Sequence, residues 1–129
     1  MLRVLLIEDE PVIGLMAASM LMEMGNWVIG PISCLSSALP AAQRLAIDCA
    51  VLDVCIRSEP VYPVAQILVQ RRIPFIFATA YGPIAARGPF ADRPVIVKPY
   101  QLKDLRGAIE AAMAANRQRV DAQMGCAEG

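Results

Sequence analysis

The run Cys49-Ala50-Val51-Leu52-Asp53-Val54 constrains this chain more than any other stretch. Four apolar or small residues lead into Asp53 and Val54 continues the run, which suits a strand buried on both faces of a parallel sheet. Packing cannot compensate an ionised carboxylate at the edge of a low-dielectric core, so Asp53 needs polar partners. In an open parallel sheet they come from the crevice beyond the carboxyl ends of the strands.

Other strands end with matching chemistry. Residues 4–7 read as a short buried strand closed by Glu8, Asp9 and Glu10. Pro11 suits the first turn of a helix, where its missing N–H costs nothing. Ile13, Met16, Ala17, Met20 and Met24 follow helical spacing as its inward stripe, and Gly25 ends it. Residues 27–30 form a second strand. Ser36 or Ser37 caps a second helix to about residue 46, with Leu35, Leu39, Ala42 and Leu45 inward and Pro40 limiting its first turns. After the Asp53 strand come a helix over 61–71 and a strand over 74–78. Two glycines and two prolines within 82–93 argue against a long regular helix there. Residues 94–97 are the fifth strand, ending at Lys98-Pro99. A helix over 101–119 follows, with Leu102, Leu105, Ile109 and Ala112 or Met113 inward, and residues 120–129 are expected as a flexible tail. Alternating strands and helices imply one α/β domain over residues 1–119, with a parallel sheet covered on both faces.

Composition excludes several classes. Hydrophobic residues make up 57 % of the 129 positions, which rules out a disordered chain. Lys plus Arg and Asp plus Glu number 12 each, with no basic run, which argues against nucleic-acid binding. No apolar stretch approaches the roughly 20 residues needed to span a membrane, and the first run reaches acidic residues too soon for a signal peptide. The cysteines (34, 49, 55 and 126) form no Cys-x-x-Cys pair and there is no His, so a zinc site is not expected. Reduced thiols in a cytoplasmic protein are the simplest reading.

The strand ends supply three carboxylates (Glu8, Asp9, Asp53), a hydroxyl (Thr79) and an ammonium (Lys98). Converging carboxylates repel unless a hard cation sits among them, and oxygen ligands with waters describe Mg²⁺. Such a cation would let Asp53 attack a phosphoryl group, with Thr79 and Lys98 as donors to the other phosphoryl oxygens. The product would be an aspartyl phosphate. Singly, each feature has a plainer reading: Asp53 as a turn residue, the acidic run as a favourable helix-start charge cluster, Thr79 as a turn hydroxyl. Glu10 fits that plainer reading.

The ordered set of acidic pair, Asp, Thr and Lys-Pro resembles a response-regulator receiver domain over nearly the whole chain. The resemblance implies a flavodoxin-like (βα)5 fold with strand order 2-1-3-4-5. It implies Asp53 as phosphoacceptor, Asp9 as direct Mg²⁺ ligand, Glu8 acting through water and the backbone carbonyl of Cys55 completing the metal site. Thr79 would be the switch hydroxyl and Lys98 the phosphoryl-binding cation, on a cis Lys98-Pro99 bond. Phe77-Ala78-Thr79-Ala80-Tyr81, with Glu59-Pro60-Val61-Tyr62-Pro63, resembles a subset of stand-alone alphaproteobacterial receivers with a Phe-Ala-Thr-Gly-Tyr motif, Ala80 replacing its Gly. Val95 stands where ordinary receivers carry Tyr or Phe. Switching is therefore assigned to Thr79 and Tyr81, and the short segment from Thr79 to Lys98 implies a reduced fourth helix.

The resemblance implies a phosphoacceptor signalling protein and not an enzyme. Its partners would be a histidine kinase or histidine phosphotransferase and a downstream protein, and the chain a monomer or weak homodimer. On the first helix Leu15, Ala18 and Met22 form an apolar ridge apart from the inward stripe, read as a partner-docking face. A phosphorylation-independent pseudo-receiver is the alternative, disfavoured by the intact acidic pair, Asp, Thr and Lys. Phosphatases with an aspartate nucleophile resemble an Asp-x-Asp pattern, whereas Asp53 is followed by Val54-Cys55. Nucleotide binding lacks a Gly-rich loop after the first strand.

Overall fold

The computed structural model describes residues 1–80 and 88–128, with side chains at 1–80 and 89–122. Its elements in order are β1 (Arg3–Ile7), α1 (Pro11–Glu23), β2 (Trp27–Ile32), α2 (Leu35–Arg44), β3 (Cys49–Asp53), β4 (Cys55–Ile56), β5 (Glu59–Pro60), α3 (Tyr62–Gln70), β6 (Phe75–Thr79), β7 (Val95–Val97) and α4 (Leu102–Glu128). Five parallel strands are ordered β2-β1-β3-β6-β7, the flavodoxin-like arrangement. β4 and β5 form a separate antiparallel hairpin.

Strand alternation divides the core into two layers. Leu5, Ile7, Ala50, Leu52, Phe75 and Phe77 face α2 and α3, meeting Ala38, Ala42, Val64, Ala65 and Leu68. Val4, Leu6, Cys49, Val51, Ile76 and Ala78 face α1 and α4, meeting Ala17, Leu21, Leu105, Ile109 and Ala112. On the first face Tyr62, Phe75, Phe77 and Phe90 form a ring cluster, with Tyr62 and Phe90 stacked at 5.6 Å. Phe90 thereby anchors the chain ahead of β7.

Several boundaries and faces differ from the sequence reading. α1 buries Gly14, Ala17, Ala18 and Leu21, while Met16 is 49 % exposed. Small residues let this helix approach the sheet closely: a Cβ added at Gly14 would stand 3.0 Å from Pro31 Cγ. β2 continues past Gly30, whose φ of 122° and close approach to the Leu6 carbonyl admit no side chain. α2 is preceded by Cys34 with no side-chain cap bond, so neither Ser36 nor Ser37 caps it, and Leu45 is exposed. α4 does not stop near Arg119 but runs to Glu128, because no proline interrupts those residues. Between β6 and β7 lies a 3₁₀ turn, Gly88–Phe90. The reduced fourth helix expected within 82–93 falls partly on residues 81–87, outside the described residues. Among the described residues no helix is long and apolar enough to cross a membrane.

Candidate functional site

Strand register builds the site. Ile7 stands opposite Leu52, Asp53 opposite Ala78, and Thr79 opposite Val97. Glu8, Asp9, Asp53, Thr79 and Lys98 therefore emerge at one carboxyl edge of the sheet. The Lys98 N–H donates to the Thr79 carbonyl at 2.8 Å, tying the last two strand ends together. The Lys98-Pro99 peptide bond is cis.

At the centre is an ion triad. Lys98 Nζ lies 2.7 Å from Glu8 Oε1 and 2.8 Å from Asp53 Oδ2, with all three side chains at most 10 % exposed. One ammonium serves two buried carboxylates, leaving negative charge in excess. Burial, and then a hydrogen bond shared with Asp53, push the Glu8 carboxyl up to about 7 despite the opposing pull of Lys98. The hydrogen bonds to both carboxylates raise the Lys98 ammonium against the lowering effect of its burial.

Asp9 sits at the mouth of this cluster. Its Oδ2 accepts the backbone N–H of Arg57 at 2.8 Å, and its carboxyl is held below the ordinary value although its partial burial acts the other way. Carboxylate oxygens of Glu8, Asp9 and Asp53 lie within 4.8 Å of one another. This all-oxygen, partly open, negatively charged donor set fits a small hard cation such as Mg²⁺. The N–H of Cys55 donates to Asp53 Oδ1 at 3.3 Å, which fixes the start of the hairpin against the aspartate.

The sequence reading brought Glu8, Asp9, Asp53, Thr79 and Lys98 to one place, and the fold does the same. Thr79 is 3 % exposed at the end of β6. Tyr81 lies outside the described residues. Ala18 is 7 % exposed beneath α1, so it does not belong to a docking ridge, whereas Leu15 and Met22 are 67 % and 58 % exposed. Val95 is half-buried and packs against the α2–α3 face of the core.

Two residues escaped the sequence reading. Arg57 contributes through its backbone from a turn where Arg57 and Ser58 have φ of 49° and 68°. Glycine or asparagine, the usual signals of such a turn, are absent. Tyr100 is buried one residue beyond Pro99, and its hydroxyl is pushed up to about 12 by burial and then by the charge of Glu8.

No protein-family model matches the chain. Over 83 residues it is 37 % identical to the transcriptional regulatory protein TdiR of Thauera aromatica, which covers 58 % of this chain and 35 % of that protein. The chain thus spans about a third of the length of that curated relative. Among solved structures, SdrG from Sphingomonas melonis aligns at TM-score 0.79 and 34 % identity, over 88 % of this chain and 97 % of that one. The REC domain of the Erythrobacter litoralis response regulator PhyR aligns at TM-score 0.74 and 27 % identity, over 87 % and 89 %. The receiver domain of the sensor histidine kinase PA1611 of Pseudomonas aeruginosa, which has a magnesium ion coordinated in its active-site cleft, shares the fold at TM-score 0.73 and 22 % identity, over 88 % and 98 %. Sheet order, strand-end cluster and these likenesses agree: the chain belongs to the response-regulator receiver domains.

Proposed function

We propose that Asp53 accepts a phosphoryl group and that the resulting charge change alters the surface presented to protein partners. The observation that carries this reading is the placement of Lys98 Nζ within 2.8 Å of both Glu8 and Asp53, beside Asp9, at the carboxyl edge of the sheet. Asp9, Asp53 and the Cys55 carbonyl would hold Mg²⁺, with Glu8 acting through water. When bound, the ion supplies charge neutralisation for the oxygens that gather around phosphorus. An Asp53 carboxylate oxygen attacks phosphorus, the bond from phosphorus to the donor breaks, and the donor leaves with that electron pair. Lys98 is the cation for one phosphoryl oxygen and the Thr79 hydroxyl a donor to another.

The phosphodonor in this reading is a histidine kinase or histidine phosphotransferase. Its docking face is the exposed part of α1, where Leu15 and Met22 stand clear of the core. On another flank of α1, Ile13, Met16 and Met20 line a small apolar cleft with Pro99 and Tyr100, directly after Lys98, so it is this flank and not the Leu15–Met22 side that borders the phosphoacceptor edge. With Val95 unable to act as an aromatic rotamer switch, coupling is assigned to Thr79 and Tyr81. The Phe77-Ala78-Thr79-Ala80-Tyr81 run supports membership of the Phe-Ala-Thr-Gly-Tyr subset.

Incubation with acetyl phosphate and Mg²⁺ is expected to add the mass of one phosphoryl group to the intact protein. Asp53→Asn should abolish the addition. Undiminished labelling of that variant would overturn the assignment.

A further inference from the structure

The amino-terminal edge of the sheet, opposite the carboxylate cluster, carries a second concentration of charge. A groove of about 370 Å³ opens where the chain enters β1, β3 and β6, against the α4 residues Met113, Asn116 and Arg117. Its volume falls within the usual range for small-molecule pockets. Arg71, Arg72 and Arg117 line it, with Asp48 as its one lining carboxylate. That carboxylate is already occupied by Arg3 at 3.2 Å. A smaller cavity of about 70 Å³ shares Arg72, Ile73 and Asn116 with the groove and adds Arg93 and Arg119.

The arginines of these two cavities outnumber the carboxylates available to them. Asp92 is shared between Arg119 at 2.9 Å and Arg93 at 3.6 Å. Arg71 is engaged with the Ala42 carbonyl at 2.6 Å. No described group pairs with the side chains of Arg72 or Arg117. Arg93 is the most constrained: its side chain is 10 % exposed and its guanidinium lies over the Phe75 ring at 4.7 Å. Its Nε is buried and forms no hydrogen bond, standing 3.6 Å from Asp92 Oδ1. Here the surrounding polar side chains are almost all donors. Guanidinium groups match tetrahedral and carboxylate oxygens through paired N–H bonds. The apolar walls, Val69, Ile73 and Val120, limit competition from water.

We propose that the smaller cavity is an oxyanion site for a phosphoryl group, bound by Arg72, Arg93 and Arg119, with room along the adjoining groove for the body of a small phosphomonoester. The site is separate from Asp53 and does not depend on phosphorylation there. The anion would balance the positive charge that Asp92, shared between Arg93 and Arg119, leaves in excess.

The test is an NMR titration of the full chain with sodium phosphate, without Mg²⁺ and at constant ionic strength set by sodium chloride. A saturable displacement of the Arg93 Nε–H and Asn116 side-chain amide signals is expected, while the Asp53 and Lys98 amides stay in place. Arg72→Gln and Arg119→Gln, both at accessible side chains, should each weaken binding at least tenfold, and Arg106→Gln should leave it unchanged. Glycerol 2-phosphate in a parallel titration separates the sources: tighter binding than inorganic phosphate identifies an organic phosphate, and equal binding identifies the free ion. Displacements that fail to saturate, that chloride alone reproduces, or that persist unweakened in both variants would overturn the proposal.

Discussion

The backbone N–H of Arg57 donates to Asp9 Oδ2 at 2.8 Å, fastening the turn of the β4–β5 hairpin to the acidic pair at the end of β1. Asp9 thus has two roles that its variants can separate. Asn keeps an oxygen acceptor for Arg57 but loses the charge that a hard cation requires. Asp9→Asn is expected to lower Mg²⁺ affinity about tenfold or more while the Arg57 amide stays protected from hydrogen exchange, since a lost charged ligand is worth over 1 kcal/mol. Asp9→Ala should lose both. Calorimetry and amide exchange on the two variants check it, and equal Arg57 protection in both would separate the hairpin from Asp9.

Lys98 holds two buried carboxylates, so its removal should expose their repulsion. Lys98→Met is expected to cost roughly 3 kcal/mol at pH 8 without metal, the range for breaking a buried ion pair. The loss should shrink towards pH 5. Glu8 titrates near 4.5 in the unfolded chain and near 7 in the fold, so folding takes up a proton between those values. The stability linked to that proton is present below the unfolded value and is lost as pH rises through about 7. Denaturant unfolding in EDTA from pH 5 to 8 measures this slope, and Glu8→Gln should flatten it.

Two cysteines should react very differently. Hydrogen bonding with Ser36 and then with Ser37 brings the Cys34 thiol down to about 7. Burial pushes Cys49 up to about 12. Iodoacetamide should therefore modify Cys34 in the native protein with a rate half-maximal near pH 7 and leave Cys49 untouched until unfolding. Peptide mass mapping reads both positions. Ser36→Ala with Ser37→Ala should move the Cys34 profile to higher pH.

The exposed part of α1 is tested by comparing donors. Leu15→Lys with Met22→Lys should slow phosphotransfer from a phosphorylated histidine kinase by about fivefold or more, the effect of losing interface contacts worth over 1 kcal/mol. Acetyl phosphate needs no docking face, so its labelling rate should be unchanged. Ala18→Lys is no equivalent test, because that position is buried and the variant would disturb the core.

The order of strands and helices was legible because a strand buried on both faces leaves an unbroken apolar run, as in Val4-Leu5-Leu6-Ile7 and Cys49-Ala50-Val51-Leu52. The strand-end chemistry was legible for the same reason: Asp53, Thr79 and Lys98 each close such a run, and parallel strands bring their carboxyl ends to one edge. The sequence alone could not determine which face of α1 is buried. That helix is apolar on nearly every side, so periodicity carries little information. Close approach decided it, with Gly14 admitting Pro31 and Ala17 and Ala18 facing the sheet. Nor could it foresee that Glu8 would be paired directly with Lys98 or that Asp9 would hold the Arg57 backbone, since both contacts join residues far apart in the chain. Local residue types dictated the order of the five sheet strands along the chain and the chemistry at their carboxyl ends, but not the β4–β5 hairpin or the start of α2. Only the packed sheet set the distances between those ends, because they depend on strand register and helix approach, to which every element contributes.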